Sequence, residues 1–321
     1  MHWRIPIVGV LALFVAVSCN RQPVEPQQTD TPRGLDVEAS LALQRFSGWS
    51  TPENLGPTVN ASSVDLTPEI SPNGLSLYFA SIRPGGFGFF DLWVSQRTSL
   101  DAPWGAPVNL GPTINSAGLD TAPHLSRDGH RLFYTSTRPG GFGFADNWVS
   151  WRSDTHDDFA WQAPENLGSQ VNGPAIDTGP NVRNPELYFV SDRANPGGNL
   201  DIYLGLIGRG GRYGPASLVV ELSSSGNDLR PTLRFDALEI FLSSNRAGTL
   251  GADDIWVSTR RGKSEAWPSP TNVGTAINTA FVETMPALSG DGMTLYFAST
   301  RPGGSGSFDL WVARRTLAPG H

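Results

Sequence analysis

A loop followed by a strand recurs along this chain with almost constant spacing. The stretch TRPGGFGFADNWVS (137–150) also appears as IRPGGFGFFDLWVS (82–95) and as TRPGGSGSFDLWVA (300–313). Self-similarity at a fixed period of this length indicates a repeat architecture. Aligned on the acid that opens the final strand, the copies are 55, 55, 53 and 55 residues apart and begin at Asp91, Asp146, Asp201, Asp254 and Asp309.

Each copy contains the same parts in the same order. A tryptophan segment such as 49–56 comes first, an acid follows three residues before a proline, and a tight turn such as SPNG leads into an apolar strand. A glycine-rich loop and a strand of the DLWVS type end the copy. Four short strands without a helix are typical of one propeller blade, and a lone blade cannot cover both of its faces. We therefore predict an all-β fold, a five-bladed β-propeller of four-stranded antiparallel blades.

The copies also predict how the ring closes. The fifth copy lacks its outermost strand, whereas the tryptophan strand at about 49–55 precedes the first copy and has no blade of its own. Pairing the two would remove two exposed sheet edges, which otherwise invite aggregation. The propeller is expected to span residues 47–315, with a short tail at 316–321.

Three motif strings carry a resemblance to a known family. PEISPNGLSLYFASIRPGG, PHLSRDGHRLFYTSTRPGG and PALSGDGMTLYFASTRPGG are each followed by DLWV or DNWV. They resemble the WD-repeat-like, PD-type propeller repeats of TolB-like envelope proteins, and the resemblance covers residues 49 to 315. It implies a periplasmic or surface propeller that binds partners. It carries no catalytic residue over, because the repeat signature is architectural.

The N-terminus has the pattern of a secretion signal. Arg4 precedes an apolar run of 13 residues, Ile5 to Val17, and small residues then lead to Cys19, the only cysteine. This pattern predicts a signal peptide at 1–18, and the run is too short to span a bilayer as a helix. The position of Cys19 resembles a bacterial lipobox, which implies cleavage before Cys19 and lipidation of its thiol. An ordinary signal peptide with an incidental cysteine is the alternative.

Residues 19–46 are expected to tether the propeller to this lipid. The segment 20–34 is rich in Gln, Pro and Thr and reads as flexible, whereas 35–46 (LDVEASLALQRF) contains helix formers and predicts one short helix. We expect secretion across the inner membrane, anchoring as a lipoprotein in the outer membrane, and exposure to the periplasm or the cell surface. The membrane contact would be through the lipid only, and the protein would be monomeric.

Composition and motifs argue against several function classes. The net charge of −7 and the lack of clustered Lys and Arg disfavour nucleic acid as a partner. The chain contains no Gly-x-Ser-x-Gly elbow and no His-Glu-x-x-His motif, and its five histidines are scattered. No metal, cofactor or catalytic residue is expected. The acidic segment 153–159 (SDTHDDF) is expected to be a solvated loop.

Every copy places an acid and an arginine where the predicted strand order brings them to the same face. Five ion pairs within the blades are expected, and an acidic ring that binds a metal or a cationic peptide is the alternative. On a protein surface, such pairs contribute only about 0 to 1 kcal/mol each. The pairs are Asp65 with Arg83, Asp120 with Arg138, Asp177 with Arg193, Asp228 with Arg246, and Glu283 with Arg301.

Ligand-binding residues are expected where the copies differ, because a ligand without fivefold symmetry must be recognised by residues that are not the same in every blade. The glycine-rich loops of the first two copies carry Phe87, Phe89, Phe142 and Phe144, which predict a docking patch for protein or sugar, although the rings could fold back onto the blades. The inner strands differ at Glu69, His124 and Arg230. These three are expected in the channel on the same face as the loops, or as filler between blades.

These observations predict a non-catalytic envelope lipoprotein whose propeller binds an envelope protein or peptide as a scaffold. The alternative is a five-bladed propeller that binds carbohydrate or cleaves glycosides. Glycoside cleavage needs two carboxylates about 5 to 9.5 Å apart in one pocket. The sequence singles out no such pair, since its acids recur in every copy.

Overall fold

The computed structural model describes residues 46–318, which fold into five four-stranded antiparallel sheets. The first strand, β1 (Glu53–Asn54), belongs to the last sheet. Blade 1 contains β2 (Asp65–Ile70), β3 (Ser76–Ser81), β4 (Asp91–Gln96) and β5 (Val108–Asn109); blade 2 contains β6 (Asp120–Leu125), β7 (Arg131–Ser136), β8 (Asp146–Trp151) and β9 (Glu165–Asn166); blade 3 contains β10 (Asp177–Arg183), β11 (Glu186–Ser191), β12 (Asp201–Leu206) and β13 (Ser217–Leu218); blade 4 contains β14 (Asp228–Leu233), β15 (Glu239–Ser244), β16 (Asp254–Thr259) and β17 (Thr271–Asn272); blade 5 contains β18 (Glu283–Leu288), β19 (Thr294–Ser299) and β20 (Asp309–Arg314).

The blades form a closed ring, and the predicted five-bladed propeller is confirmed. Each inner strand (β2, β6, β10, β14 and β18) contacts the inner strands of both neighbouring blades, and β18 contacts β2. As the sequence predicts, β1 completes blade 5: Glu53 is paired with Val312 and Asn54 with Trp311. The signal peptide, Cys19 and the tether lie outside the described residues, as does the predicted helix except for Phe46, which bridges to Leu317.

Aromatic and aliphatic side chains of neighbouring sheets form the core between the blades. The third strand of each blade buries one large aromatic residue, and the second strand buries an apolar run such as Leu77 to Ala80. Alternate side chains of a strand point to opposite faces of the sheet, so a run buried on both faces needs a blade on either side. The five aromatic residues are Trp93, Trp148, Tyr203, Trp256 and Trp311.

Each inner strand contains a bulge that the sequence analysis did not predict. The residue before the strand proline has a left-handed backbone, with φ between 49° and 64°, and the ladder with the second strand shifts register there. A non-glycine residue in this conformation costs on the order of 1 kcal/mol. Proline within a strand indicates a bulge, so the recurring x-Pro dipeptide was the available signal. The residues are Thr67, Ala122, Gly179, Arg230 and Met285.

The two faces of the ring carry different connections. One face, here called the loop face, carries the glycine-rich loops between the second and third strands, for example residues 82–90. The opposite face, here called the turn face, carries the tight turns between the first and second strands, for example residues 71–75. None of the helices in the described part of the chain has the length and apolarity needed to cross a bilayer.

The expectation of a solvated loop at 153–159 is wrong for one of its carboxylates. Asp158 is buried and lies 2.7 Å from Arg152 Nη1. It also accepts hydrogen bonds from the hydroxyl of Tyr78 at 2.5 Å and from the amide of Gln96 at 2.8 Å, both in blade 1. The acidic segment therefore ties blade 2 to blade 1, because buried donors on both blades need an acceptor.

Candidate functional site

The structure brings together each of the five acids and arginines that the repeat places on the loop face. Four of the pairs have N–O distances between 2.5 and 3.1 Å, and Arg193 also contacts Asp177. Each arginine Nε donates to a serine of its own blade at 2.8 to 3.1 Å. All five carboxylates are buried. In four of them the second oxygen accepts a backbone N–H, so little capacity is left for an external ligand.

The glycine-rich loops of blades 1 and 2 hold phenyl rings in solvent. Phe87, Phe142 and Phe144 are 51%, 52% and 47% exposed. Phe89 is half-buried and packs edge-to-face on Phe90, with ring centroids 5.2 Å apart. Three of the four rings therefore face solvent, and one folds back toward its own blade.

These loops are fixed in place on both sides. The Asp91 carboxylate accepts the N–H groups of Phe87 and Gly88, and Asp146 accepts those of Phe142 and Gly143 in the same way. A Cβ added to Gly88 would lie 2.0 Å from a carbonyl oxygen of blade 2, and one added to Gly143 would lie 2.1 Å from a carbonyl oxygen of blade 3. Close approach of the glycines to the next blade holds the exposed rings on a rigid support.

A charged cluster lies on the axis of the ring. Glu69, His124 and Arg230 come from blades 1, 2 and 4, yet His124 Nδ1 lies 2.9 Å from Glu69 Oε1 and Arg230 Nη2 lies 3.7 Å from Glu69 Oε2. Arg230 also donates to the carbonyl oxygens of Pro68 at 3.3 Å and Pro123 at 2.5 Å, so its side chain crosses the axis. All three charged or ionisable residues are buried.

Arg183 of blade 3 completes the cluster and contacts the ring of His124. Its Nη1 lies 3.1 Å from His124 Nε2, and the carbonyl oxygen of Val182 lies 3.2 Å from the same nitrogen. Because a guanidinium can only donate and the Glu69 carboxylate can only accept, the contacts with Arg183 and Glu69 are both satisfied when Nε2 accepts and Nδ1 carries the proton. Burial lowers the pKa of His124, which keeps the imidazole neutral. Burial by itself would raise the pKa of Glu69, but its interactions with His124, Arg230 and Arg183 outweigh this effect and lower the pKa.

The cluster holds two guanidinium groups and one carboxylate. Burial lowers the pKa of Arg183 and of Arg230 to about 10, so both remain charged near neutral pH. Nε and Nη1 of Arg230 have no hydrogen-bond partner in the described part of the chain. A single carboxylate held by guanidinium groups differs from the carboxylate pair of glycoside hydrolysis, in which one group protonates the leaving oxygen and the other acts from the opposite face.

Phe235 covers this cluster on the turn face. Its ring centroid lies 5.0 Å from Arg183 Cζ and 5.5 Å from Arg127 Cζ, and a Cβ added to Gly290 would lie 2.1 Å from the ring. These residues belong to blades 3, 2 and 5, so the Phe235 ring, which projects from blade 4, reaches across the axis. The sequence predicts Glu69, His124 and Arg230 on the loop face, whereas the structure places them inside the ring. The inner strands begin at the loop face with the paired acids and run toward the turn face, so residues later in these strands lie away from the loop face.

Sequence reasoning missed Arg183 and Phe235. Both lie at positions where the copies differ, since the turn of blade 3 is shortened to RNPE and that of blade 4 reads RFDA. The difference was the available signal, but their contacts depend on where the ring places each turn. Across residues 46–318, no three His, Cys, Asp or Glu side chains are grouped so that they could hold a metal ion.

Comparisons with known proteins place the chain by fold only. No protein-family model and no curated protein sequence matches it. An α-L-arabinofuranosidase from Podospora anserina in complex with cellotriose is 12% identical, with a TM-score of 0.55, and the match covers 85% of this chain and 98% of that chain. An α-L-arabinofuranosidase from Lactobacillus brevis is 14% identical, with a TM-score of 0.53 and coverage of 83% and 95%.

A TolB structure is also similar. TolB from Acinetobacter baumannii is 19% identical, with a TM-score of 0.47, and the match covers 80% of this chain and 57% of the TolB chain. The two arabinofuranosidase structures show a shared propeller fold, but identities of 12 and 14% do not carry an activity over, because one fold hosts unrelated functions.

Proposed function

We propose that this protein is a binding propeller that holds carbohydrate on its loop face and does not cleave it. The observation that carries the proposal is the set of half-exposed phenyl rings, Phe87, Phe142 and Phe144, on fixed loops of two adjacent blades. A sugar ring presents a flat face of C–H groups, which packs well on an aromatic ring that is already in position. Rigid aromatic groups keep the entropic cost of binding low.

The ion pairs between the acids and the arginines support binding without hydrolysis. The five carboxylates at the start of the inner strands are buried against arginines, and Glu69 is buried between His124 and Arg230. A general acid must carry a proton near neutral pH, and the neighbouring charges lower the pKa of Glu69 instead.

The solved structures guide the choice of ligand class. Two of the similar propellers are α-L-arabinofuranosidases, one in complex with cellotriose, and a further glycoside hydrolase of similar fold was solved in complex with xylotriose. Their likeness to this chain is a likeness of fold, so these oligosaccharides serve here as probes.

Calorimetric titration of the full chain with cellotriose, xylotriose and longer oligomers of both tests the proposal. The double variant Phe87→Ser, Phe142→Ser should weaken binding at least about tenfold, because each ring removed from a contact typically costs more than about 1 kcal/mol. Leu250→Ser is the matched control, since Leu250 is 49% exposed at the equivalent position in blade 4. Incubation with the oligosaccharides should release no new reducing ends, because the protein is proposed to bind them without cleaving them. Turnover, or binding that is insensitive to the double variant, would contradict the proposal.

A protein partner is the second candidate, and the lack of polar groups on the phenyl rings supports it. Phenylalanine has no polar group for hydroxyls, and exposed apolar rings are enriched at protein interfaces. Capture of one envelope protein that the same double variant abolishes, with no oligosaccharide bound, would decide for a scaffold.

We also propose that the propeller is anchored in the cell envelope through Cys19. The support is the sequence pattern alone, an apolar run of 13 residues that ends two positions before the only cysteine. Cys19→Ser should move the protein from the membrane fraction to the soluble fraction without changing its melting temperature. Mass spectrometry that finds an unmodified Cys19 in the mature chain would exclude lipidation.

A further inference from the structure

Four of the five blades fill the interface with the preceding blade by the same stack. An arginine at the end of the third strand lies over a tryptophan of its own blade, with Cζ 4.2 to 4.5 Å from the ring centroid, and its Nε donates to a carbonyl of the tight turn. The pairs are Arg97 on Trp104, Arg152 on Trp161, Arg260 on Trp267 and Arg315 on Trp49.

Two of these arginines also form an ion pair with the preceding blade. Arg260 Nη2 lies 2.8 Å from Glu186 Oε2, and Arg315 Nη2 lies 2.5 Å from Glu239 Oε2. Glu186 and Glu239 both open the second strand of their blades. Two of the interfaces are therefore closed by three groups, an arginine, a tryptophan and a glutamate, whereas blades 1 and 5 open the second strand with Ser76 and Thr294 instead of glutamate.

Blade 3 lacks all three groups at its interface with blade 2. Ile207 stands in the place of the arginine, Tyr213 in the place of the tryptophan, and Arg131 opens the second strand of blade 2 where blades 3 and 4 have glutamate. What remains between the blades is a cavity of about 530 Å³. Ligand cavities in proteins have volumes of roughly 300 to 1,000 Å³.

The cavity has an apolar floor, and polar side chains also line it. Phe133, Val182 and Ile207 line it beside the Tyr213 ring. Arg131, Glu165 and Asn184 line it as well. In the described part of the chain, these three side chains and the Tyr213 hydroxyl form no hydrogen bond or ion pair. Arg131, Glu165 and Asn184 are exposed and therefore hydrated in the free protein. An apolar floor with such polar groups beside it suits an amphipathic ligand.

Positive charge predominates at this cavity although the chain has a net charge of −7. Arg209 and Arg212 lie in the segment whose glycines 208, 210 and 211 line the cavity, and both are exposed. Like Arg131, neither forms an ion pair within residues 46–318. Three guanidinium groups thus lie in or beside the cavity, against two carboxylates: Glu165 in its lining and Asp128, which interacts electrostatically with Arg131. The excess of positive charge favours an anion.

We propose that the cavity between blades 2 and 3 binds a carboxylated sugar residue of the uronic acid type. The guanidinium of Arg131 pairs with the sugar carboxylate, and the ring packs on Tyr213 and Phe133. The sugar hydroxyls exchange hydrogen bonds with Glu165 and Asn184. The site is separate from the loop-face rings and does not depend on the function proposed for them.

Calorimetric titration with galacturonate, and with galactose as the neutral counterpart, tests this site. Galacturonate should bind about fivefold more tightly than galactose, because Arg131 is exposed and an exposed ion pair contributes up to about 1 kcal/mol. Arg131→Gln should remove the preference and leave the apolar floor intact. Equal binding of the two sugars, or galacturonate binding that Arg131→Gln leaves unchanged, would overturn the proposal.

A variant that restores the repeat is the matched control. Ile207→Arg combined with Arg131→Glu installs the pair that Arg260 and Glu186 form at the next interface, so the fold should be kept and galacturonate binding lost. The double variant Phe87→Ser, Phe142→Ser should bind galacturonate like the unmodified chain. A failure of the cavity proposal can therefore be distinguished from a failure of the loop-face proposal. Acetate that binds as tightly as galacturonate would overturn the assignment to a sugar.

Discussion

At the scale of single residues, burial separates two kinds of ion pair that look alike in the sequence. The five pairs on the loop face have fully buried carboxylates, whereas Arg314 and Glu53 form a pair with side chains 54% and 68% exposed. The modest contribution expected for a surface pair applies only to the second kind. Removing one partner of a buried pair leaves a charge without solvent or counter-ion, which costs far more.

Substituting the arginine of one pair of each kind measures this difference. Arg138→Met should lower the free energy of unfolding by about 3 to 5 kcal/mol, because Asp120 stays buried without its partner. Arg314→Met should lower it by less than about 1 kcal/mol. Chemical denaturation gives both values. Similar losses in the two variants would show that the buried carboxylate finds another partner.

Asp253 is a carboxylate in a place that the other blades keep apolar, where Phe90, Ala145, Leu200 and Phe308 are buried. Burial and the neighbouring Asp254 raise its pKa from 3.8 to about 6. The folded state thus holds the proton more tightly than the unfolded state, and stability falls as pH rises between these two values. No hydrogen-bond partner of Asp253 Oδ1 exists among the described residues.

Asp253→Asn should therefore stabilise the protein near neutral pH and not in acid. We expect a gain of roughly 1 to 2 kcal/mol at about pH 7.5 and no gain at about pH 4, where the carboxyl is protonated in the folded state. Thermal melts at the two pH values measure it. An equal gain at both would mean that the charge of Asp253 has no part in the effect.

At the scale of elements, the outermost strands are only two residues long and are held by side chains. In four blades an asparagine of this strand donates to the aspartate that opens the third strand, at 2.7 to 3.2 Å. Its Oδ1 accepts the N–H of the glycine two residues later. Blade 3 has Leu218 in this position, so the blade that lacks the arginine stack also lacks this clamp. The asparagines are Asn54, Asn109, Asn166 and Asn272.

The glycines of the loop face differ in how much they tolerate a side chain. Gly143→Ala should destabilise the protein by more than about 1 kcal/mol and displace the Phe142 loop, because backbone of blade 3 occupies the space of the new Cβ. Gly179→Ala is the control: the nearest atom to its new Cβ is 3.8 Å away, and Ala122 adopts the same left-handed backbone at the equivalent position in blade 2. Melting temperatures compare them, and equal shifts would contradict the close contact.

At the scale of the whole molecule, closure joins residues from the two ends of the propeller. Asn54 donates to Asp309 at 3.2 Å, and Arg315 Cζ lies 4.5 Å from the ring centroid of Trp49. Farther out, the N–H of Ser47 donates to the carbonyl of Thr316 at 2.8 Å. Because every blade covers a face of its neighbour, opening one seam exposes apolar surface on two blades.

Deleting residues 49–55 removes β1 and the tryptophan of the seam. The variant should lose most of its cooperative unfolding transition, since blade 5 would keep three strands and an open edge. Circular dichroism and a thermal melt measure this. An unchanged melting temperature would show that the seam contributes nothing to the ring.

The sequence by itself determined the five blades, their strand order, the partner of β1 and the pairing of acids with arginines. These features come from interactions that each copy repeats within itself or with the copy beside it, so a period of about 55 residues makes them readable. The exposure of the Phe87 and Phe142 rings stayed open in the sequence, because the same loop could fold back as Phe89 does.

Only the tertiary structure decided what lies on the axis and between blades 2 and 3. Arg230 meets the carbonyl of Pro68 across 162 residues of chain, and Phe235 covers residues of three other blades. Such contacts depend on the diameter of the closed ring and on the length of single side chains, neither of which the repeat encodes. The cavity arises where Ile207 and Tyr213 depart from the repeat, and its volume follows from how the two rigid blades pack around the missing groups.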